Sequence, residues 1–254
     1  MIALWHEWNS VQSFKVRVVL AEKKIPWVEH RIELLKFEHL QPQYLSLNPN
    51  GVVPTLVHDG RVVLESSVIC QYLDETFREP ALMPQESYAR AQARTWLKAF
   101  DDVVHPAIRQ ASFELLYRPL LAQMPLDERE ARLACHPDPA RAQRFRDAAR
   151  GMADTTTIRD AALAFRNIIA RMNAALEHNE WLAGAKYSLA DVAMAPFVER
   201  LGNLGMTGLL EPFPQAKRWS IALMARTAIA SACAPPGYRL PVPVAPRLDE
   251  IIGS

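Results

Sequence analysis

The chain has few of the residues that cross-link a fold or bind metal ions. Its 254 residues include only three cysteines, Cys70, Cys135 and Cys233, which lie far apart and form no Cys-x-x-Cys pair. A disulfide framework or a zinc site is therefore not expected. The seven histidines also lack a metal-binding spacing such as His-Glu-x-x-His, so we predict no metal.

Long apolar runs and an excess of either charge are also missing. No apolar stretch approaches 18 residues, the N-terminal residues lack the hydrophobic core of a signal peptide, and the formal net charge is +1. We therefore expect a cytoplasmic protein that binds neither a membrane nor nucleic acid. Hydrophobic residues make up 50% of the chain and charged residues 22%, which is typical of a globular protein.

Strand and helix patterns alternate over residues 1–79, which we predict to form one domain. The strand-like segments are residues 2–6, 27–34, 53–57 and 62–64, and the helical segments are residues 13–24, 37–47 and 66 onward. Asp59-Gly60 predicts a type I′ hairpin turn, because both residues of that turn need a positive φ. The order β-α-β-α-β-β-α predicts an α/β domain with a mixed four-stranded sheet and helices on its faces.

Strand patterns are absent after residue 86, and residues 86–233 are predicted to form an all-helical domain. Pro106 and Pro119 are expected to break the helices there. An apolar stripe over residues 158–176 predicts one long helix with a buried face. Ser188, followed three residues later by Asp191, predicts a capping box at the start of the next helix. Residues 234–254 form a proline-rich tail, for which disorder and packing on the helical domain are both open.

The most informative stretch runs from residue 48 to residue 73. It contains Asn-Pro-x-Gly-x-Val-Pro-x-Leu, then Asp-Gly, then Glu-Ser-x-x-Ile-x-x-Tyr-Leu. The strand-initial Pro54 leaves one backbone position without an N–H, and a helix beginning at Ser66 or Ser67 presents N–H groups that attract a carboxylate. These residues predict a site for a small zwitterionic ligand. A cis Val53-Pro54 bond would turn the Val53 backbone outward, but only about 5–6% of X-Pro bonds are cis.

This stretch resembles the glutathione-binding domain of the cytosolic glutathione S-transferase superfamily. Residues 10–23 resemble the family's first helix with its catalytic serine, residues 187–191 resemble its helix-capping motif, and the resemblance covers residues 2–225. It implies a thioredoxin-like N-terminal domain, an acceptor site formed by the helical domain, a homodimer, and glutathione as cosubstrate. Residues 65–70 and 125–160 are more narrowly similar to the bacterial β-etherases, which cleave aryl ethers of lignin with glutathione.

The resemblance also implies which residues bind glutathione. The backbone of Val53 would hydrogen-bond the cysteinyl unit beside a cis Pro54, and Glu65 and Ser66 would hold the γ-glutamyl end. His39 would lie near the glycine carboxylate, with a surface position as the alternative. The acceptor pocket would lie between the domains, lined by residues 96–113 and 11–12.

Catalysis in this family requires glutathione to be held as a thiolate. A thiol has a pKa of about 8.5, and lowering it by about two units needs roughly 2.7 kcal/mol. One hydroxyl hydrogen bond to an anion supplies about 1.5–3 kcal/mol, so a serine at the first helix is sufficient. Ser13 is favoured because it lies nearer the predicted first turn and aligns with the β-etherases. Ser10, which aligns with zeta- and theta-like relatives, is the alternative, and the other serine would be only an N-cap.

The implied activity is attack of the thiolate on an electrophilic, hydrophobic and aromatic substrate, with β-aryl ether cleavage as its most specific form. A maleyl-type isomerase is a weaker alternative, because Ser10-Val11-Gln12 replaces the Ser-Ser-Cys of that class. A non-catalytic binding module with the same fold is the third hypothesis. Residues 129–150 hold six arginines and are predicted to be a solvated helical excursion, or else a wall over the acceptor pocket.

Overall fold

A mixed four-stranded sheet organises the first part of the computed structural model, which describes residues 1–134, 136, 138–150 and 154–239. The strands lie in the order β2-β1-β3-β4, with β1 parallel to β2 and antiparallel to β3, and with Leu4 opposite Leu56 in the register. The strands are β1 (Ile2–His6), β2 (Trp27–Arg31), β3 (Thr55–His58) and β4 (Arg61–Val63), and the helices are α1 (Val11–Glu22), α2 (Pro42–Leu45) and α3 (Ser66–Thr76). The predicted fold of this half is confirmed.

Local details of the sheet half follow from single residues. Asp59 and Gly60 have φ values of 48° and 78°, which confirms the predicted turn. Strand β3 begins at Thr55 and not at Val53, because Pro54 has no N–H to donate to the ladder. The helical segment predicted over residues 37–47 consists of short turns, a 3₁₀ turn at Glu38–Leu40 and the four-residue α2.

The second half of the described chain is helical, as predicted. Its helices are α4 (Ser87–Ala99), α5 (His105–Ser112), α6 (Arg118–Ala122), α7 (Leu126–Leu133), α8 (Pro139–Arg150), α9 (Thr155–Ala175), α10 (Leu189–Asn203), α11 (Pro214–Met224) and α12 (Thr227–Ala232). Helix α9 buries the predicted stripe, from Ile158 to Met172. Helix α10 begins with the predicted capping box of Ser188 and Asp191. No helix in the described ranges is long and apolar enough to cross a membrane.

The expected breaks at Pro106 and Pro119 do not occur. Helices α4, α5 and α6 are continuous, because π-helical segments at Phe100–Val104 and Phe113–Tyr117 join them. Each proline lies at the start of the helix that follows such a segment. A proline lacks the N–H for an i→i−4 bond and its ring clashes with the preceding turn. The wider π turn relieves both problems without ending the helix.

One hydrophobic core spans both halves, and a second, smaller core lies at one end of their interface. Helix α1 packs against α3 on the sheet side and against α10 and α12 on the helical side. The smaller core consists of Phe37, Leu40, Leu121, Leu133 and Ala148, with Phe145 packed against it. The solvated excursion favoured for residues 129–150 is therefore wrong, because α7 and α8 bury one face against the sheet half.

The start of the predicted tail packs on the sheet half. Residues 236–238 form a 3₁₀ turn, and the ring of Tyr238 stacks on Trp8 at 6.2 Å between centroids. The Arg31 guanidinium lies 4.3 Å from the centroid of Tyr238. For these residues, the predicted alternative that the tail packs on the helical domain is therefore wrong. Residues 240–254, the rest of the predicted tail, lie outside the described part of the chain.

Candidate active site

A cleft of about 1010 Å³ separates the sheet half from the helical half. Its floor comes from the sheet half: the start of α1, residues 48–54, and Glu65 and Ser66 at the start of α3. Its opposite wall comes from α5, the π-helical segment after it, and α8. All the residues predicted to bind glutathione line this cleft, and of the two candidate catalytic serines Ser10 lines it and Ser13 does not.

A buried hydrogen-bond network fixes the loop that carries Val53. The Tyr44 hydroxyl donates to the Val52 carbonyl at 2.6 Å, and the Asn48 side-chain amide donates to the same carbonyl at 2.8 Å. Asn48 also donates to the Thr55 hydroxyl at 3.0 Å, and burial raises the pKa of Tyr44 to about 12. The supporting roles of Tyr44 and Thr55 were not predicted. Asn48 is the first residue of the Asn-Pro-x-Gly-x-Val-Pro-x-Leu motif, from which the site itself was predicted.

The backbone of Val53 is available to a ligand. The Val53-Pro54 peptide bond is cis, as the resemblance implied. Within the described part of the chain, neither the N–H nor the C=O of Val53 has a hydrogen-bond partner. Since buried backbone groups are normally paired, this edge is suited to pairing with the backbone of a bound peptide.

Glu65 and Ser66 bring a carboxylate, a hydroxyl and a helix N-terminus to the cleft. Glu65 has φ 65° and ψ 112°, a conformation that residues other than glycine rarely adopt and that is often found at functional sites. Ser66 is buried, and its hydroxyl donates to the Gln12 side-chain oxygen at 2.6 Å. This hydrogen bond joins the start of α1 to the start of α3. The bond was not predicted from the sequence.

The two candidate serines have different surroundings. Ser10 is the N-cap of α1, and its Oγ accepts a hydrogen bond from the Ser13 N–H at 3.2 Å. A serine hydroxyl that accepts one bond still has its own proton to donate, and Ser10 lines the cleft. Ser13 is fully buried, and among the described residues its Oγ has no hydrogen-bond partner.

His39 is buried and uncharged, so the alternative of a surface position is wrong. Only 5% of its surface is exposed. Burial, together with smaller contributions from the positive charges of His136 and Arg141, lowers the pKa of His39 to about 3. At neutral pH the ring is therefore a polar group without charge, and the positive charge near it belongs to Arg141.

An ion pair between a buried lysine and a partly exposed aspartate, which was not predicted, supports the floor of the cleft. Lys15 is fully buried on α1 and donates to the Ser67 hydroxyl at 2.7 Å. Its Nζ also lies 3.0 Å from the Asp101 carboxylate, which lines the cleft. A lysine is rarely buried unless it is paired. The position of Lys15 within a hydrophobic helix was therefore the feature of the sequence that indicated a buried charge in need of a partner. The pair fixes α1 against both α3 and the helical half.

The wall opposite Ser10 differs in part from the expected one. Val11, Gln12 and six residues between His105 and Phe113 line the cleft as expected. Trp96 instead lies in the core, and its Nε1 donates to the Leu182 carbonyl at 3.0 Å. Helix α8 supplies Arg141, Arg144 and Phe145. Residues 129–150 thus contribute a wall of this cleft, the second of the two predicted possibilities.

The floor and the wall together define the chemistry of the site. It offers unpaired backbone groups, a helix N-terminus and a hydroxyl donor on one side, and a mixed apolar and basic surface on the other. No group of three or more metal-binding side chains occurs among the residues that the structure describes. The arrangement can bind a peptide-like molecule and stabilise an anion near Ser10.

Comparison with known proteins agrees with this description. Family models match the N-terminal domain of glutathione S-transferase over residues 9–76 and its C-terminal domain over residues 153–227. Glutathione S-transferase F10 of Arabidopsis thaliana is 28% identical over 228 residues, covering 89% of this chain and 92% of that protein. Protein LigF of Sphingobium sp. (strain NBRC 103272 / SYK-6) is 30% identical over 227 residues, covering 85% and 87%.

One structural match and one partial sequence match complete the comparison. The crystal structure of the β-etherase LigF from Sphingobium sp. strain SYK-6 superposes with a TM-score of 0.83 at 26% identity, covering 91% of this chain and 98% of that chain. A maleylacetoacetate isomerase of Dictyostelium discoideum is 40% identical, but the match covers only 41% of this chain and 48% of the relative.

Proposed function

Because the chain belongs to the glutathione S-transferase family, whose members use glutathione as a cosubstrate, we propose that it holds the glutathione thiol as a thiolate and directs it at an electrophilic, aromatic second substrate. The observation that carries this proposal is the shared cleft. The unpaired Val53 backbone, the start of α3 and the Ser10 hydroxyl all line it together with apolar side chains of the helical half.

Glutathione fits the floor of the cleft by its chemistry. It has a peptide backbone at the cysteinyl unit, which would pair with the N–H and C=O of Val53. It has an amino group and a carboxylate at the γ-glutamyl end, which would meet the Glu65 carboxylate and the N–H groups that begin α3. Neutral His39 would offer the glycyl end a hydrogen bond without charge.

We assign the thiolate donor to Ser10, although the sequence favours Ser13. The support is that the Ser10 proton is free and faces the cleft, whereas the Ser13 hydroxyl is enclosed by protein. A hydrogen bond to the sulfur worth about 1.5–3 kcal/mol, aided by the N-terminus of α1, would lower the thiol pKa by about one to two units. No other base is needed at neutral pH.

β-Aryl ether cleavage is the specific reaction that we propose. The thiolate sulfur attacks the carbon bearing the ether oxygen, the C–S bond forms as the C–O bond breaks, and the phenolate leaves with the electron pair. The similarity to LigF over most of both chains supports this, whereas the isomerase match is partial. We also propose a cytoplasmic homodimer.

Two measurements test the proposal. Retention on immobilised glutathione, followed by ultraviolet titration of the bound thiolate, is expected to show thiolate below pH 8. Binding without that signal would favour a non-catalytic module. Glutathione-dependent release of a fluorescent phenol from a model aryl ether is expected as well. Activity on halogenated aromatics without phenol release would exclude the etherase reaction but keep the transferase.

A further inference from the structure

Three arginines that line the cleft lie close enough for their charges to act on one another. Arg109 comes from α5, and Arg141 and Arg144 come from α8; all three line the cleft. We call these three residues the arginine cluster. Among the described residues, none of the three guanidinium groups has a carboxylate within ion-pair distance, although other arginines of the same helices do, such as Arg146 with Glu130 at 2.7 Å.

The carboxylates of the cleft do not form ion pairs with the arginine cluster. Asp138 acts on Arg109 and Arg141 by its charge, and its carboxylate accepts a hydrogen bond from the Arg141 backbone N–H at 3.0 Å. The other carboxylates lie elsewhere or have partners: Glu65 is at the start of α3, Glu114 pairs with Arg118 at 2.5 Å, Asp101 pairs with Lys15 at 3.0 Å, and Asp147 accepts from the Gln143 side-chain amide at 2.8 Å. Among the described residues, the three guanidinium groups are therefore left without a carboxylate at ion-pair distance.

The arginines of the cluster repel one another, and this repulsion contributes to their lowered pKa values. The pKa of Arg109 is lowered, first by burial and then by the positive charges of Arg141 and Arg144. The pKa of Arg141 is lowered as well, by burial and by Arg144, with Asp138 opposing. Like charges held close in a partly enclosed site are unfavourable unless an anion binds between them.

The surface beside the cluster is apolar and aromatic. Ile108 precedes Arg109, and Phe145 follows Arg144; both line the cleft. The rings of Phe113 and Phe145 meet edge to face at 5.0 Å between centroids. A molecule that fills this region would therefore combine an aromatic body with an anionic group.

We propose that the second substrate of this protein is an aromatic electrophile carrying a carboxylate, and that Arg109, Arg141 and Arg144 bind that carboxylate. The planar guanidinium group matches a carboxylate through two parallel hydrogen bonds. The inference rests on the proposed function and narrows its substrate. The glycyl carboxylate of glutathione is the alternative ligand for these guanidinium groups. Arg141 lies near enough to His39 for its charge to act on that ring, and His39 is the residue that we propose meets the glycyl end.

The experiment compares two electrophiles of the same shape, 4-chloro-3,5-dinitrobenzoate and 4-chloro-3,5-dinitrobenzamide. In both, the thiolate forms a C–S bond at the carbon that loses chloride with its electron pair. We expect Arg109→Gln and Arg144→Gln each to lower kcat/KM for the benzoate by about tenfold. The benzamide rate and the KM for glutathione are expected to stay within about twofold. Arg166→Gln, at an exposed position of α9 outside the cleft, is the matched control and should change neither rate.

Three outcomes would overturn the proposal. Equal losses for benzoate and benzamide would indicate a structural role for the arginines. A raised KM for glutathione with unchanged discrimination between the acceptors would assign the cluster to the glycyl carboxylate. No change in any variant would exclude an anion site.

A binding measurement separates this inference from the proposed function. Calorimetry with 3,5-dinitrobenzoate, which cannot react, needs no turnover. If the protein binds 3,5-dinitrobenzoate and Arg109→Gln and Arg144→Gln each weaken that binding about tenfold, the anion site is supported. This holds even if neither electrophile is consumed, because the absence of turnover would count only against the transferase activity. Conversely, turnover of the benzamide with no binding of 3,5-dinitrobenzoate would keep the transferase and overturn the anion site.

Discussion

Helices α1 and α10 both begin at a serine, and they use its hydroxyl differently. Ser188 accepts a hydrogen bond from the Ala190 N–H at 3.2 Å and donates its proton to the Asp191 carboxylate, also at 3.2 Å. Ser10 accepts a hydrogen bond from the Ser13 N–H at 3.2 Å. The third residue of α1 is Ser13, whose Oγ has no hydrogen-bond partner among the described residues and so does not hold the Ser10 proton. The residue three positions after the cap thus determines whether the hydroxyl is committed to the fold or free for a ligand.

The α10 cap is also the more deeply integrated of the two. Asp191 is fully buried and accepts hydrogen bonds from the Leu182 N–H at 3.0 Å, the Ser188 N–H at 2.9 Å and the Trp219 Nε1 at 2.8 Å. Burial nevertheless raises the pKa of Asp191 to about 6, and the hydrogen bonds only partly oppose it. The Ser188 cap of α10 therefore serves the fold, whereas the Ser10 cap of α1 lies in the cleft. Four substitutions test this difference.

Asp191→Ala should have the largest effect. It leaves four buried donors, the Ser188 hydroxyl among them, without this acceptor. Each unsatisfied donor costs roughly 1–3 kcal/mol, so we expect the free energy of unfolding to fall by about 3 kcal/mol or more. Urea unfolding followed by circular dichroism measures this. Asp160→Ala, at an exposed position of α9, is the control and should change stability by less than about 0.5 kcal/mol. A loss below about 1 kcal/mol for Asp191→Ala would contradict the role given to this cap.

Asp191→Asn tests the same cap through pH. The pKa of Asp191 is raised from 3.8 to about 6, so between these values the folded state keeps a proton that the unfolded state has lost. The stability that this group contributes therefore falls as pH rises through the window and is lowest above pH 6. The difference in unfolding free energy should shift in favour of Asp191→Asn by about 2 kcal/mol from pH 4 to pH 7. A difference that is independent of pH would show that the carboxyl is not raised.

Ser10→Ala should affect the reaction more than the fold. Removing the proposed donor should raise the pKa of bound glutathione by about one to two units and lower kcat/KM at pH 7 by roughly 10- to 100-fold. Loss of the cap should cost only about 1 kcal/mol of stability. Ultraviolet titration of the thiolate measures the first effect. Ser13→Ala is the matched control, and a larger rise in thiol pKa for it than for Ser10→Ala would restore Ser13 as the donor.

Ser188→Ala should give the smallest effect. The capping bond is lost but Asp191 keeps its three other donors, so we expect about 1 kcal/mol less stability and the same thiolate pKa in the bound complex. Thermal unfolding together with the thiolate titration checks both. A shift in the thiolate pKa would mean that the two helix starts are not independent.

Local patterns made much of the fold predictable. The Asp59-Gly60 turn, the Ser188 capping box and the stripe of α9 each depend on residues close in sequence, and the structure has all three. The choice between Ser10 and Ser13 was harder, because it depends on where α1 begins. The helix was expected from Ser13, but it starts at Val11 with Ser10 as its cap.

Contacts between distant residues could not be predicted from one sequence. Charge alone suggested that residues 129–150 are solvated, but Phe145 packs edge to face on Phe37 at 5.4 Å. Lys15 gave no local sign of its partner Asp101 on another element. Pro106 indicated a break, since nothing in the sequence showed the π-helical turn before it. In each case the packing of remote elements overrode a local preference.

The smaller core around Phe37 couples the position of one side of the cleft to that of the other. Residues 34–40 and helix α8 share buried side chains, so neither can shift outward without exposing the aromatic ring of Phe37, which is entirely enclosed. The size of the opening is therefore linked to the free energy of burying that ring. A bulky molecule that pushes α8 aside must also expose Phe37, and we therefore expect wide molecules to bind in the cleft more weakly than narrow ones.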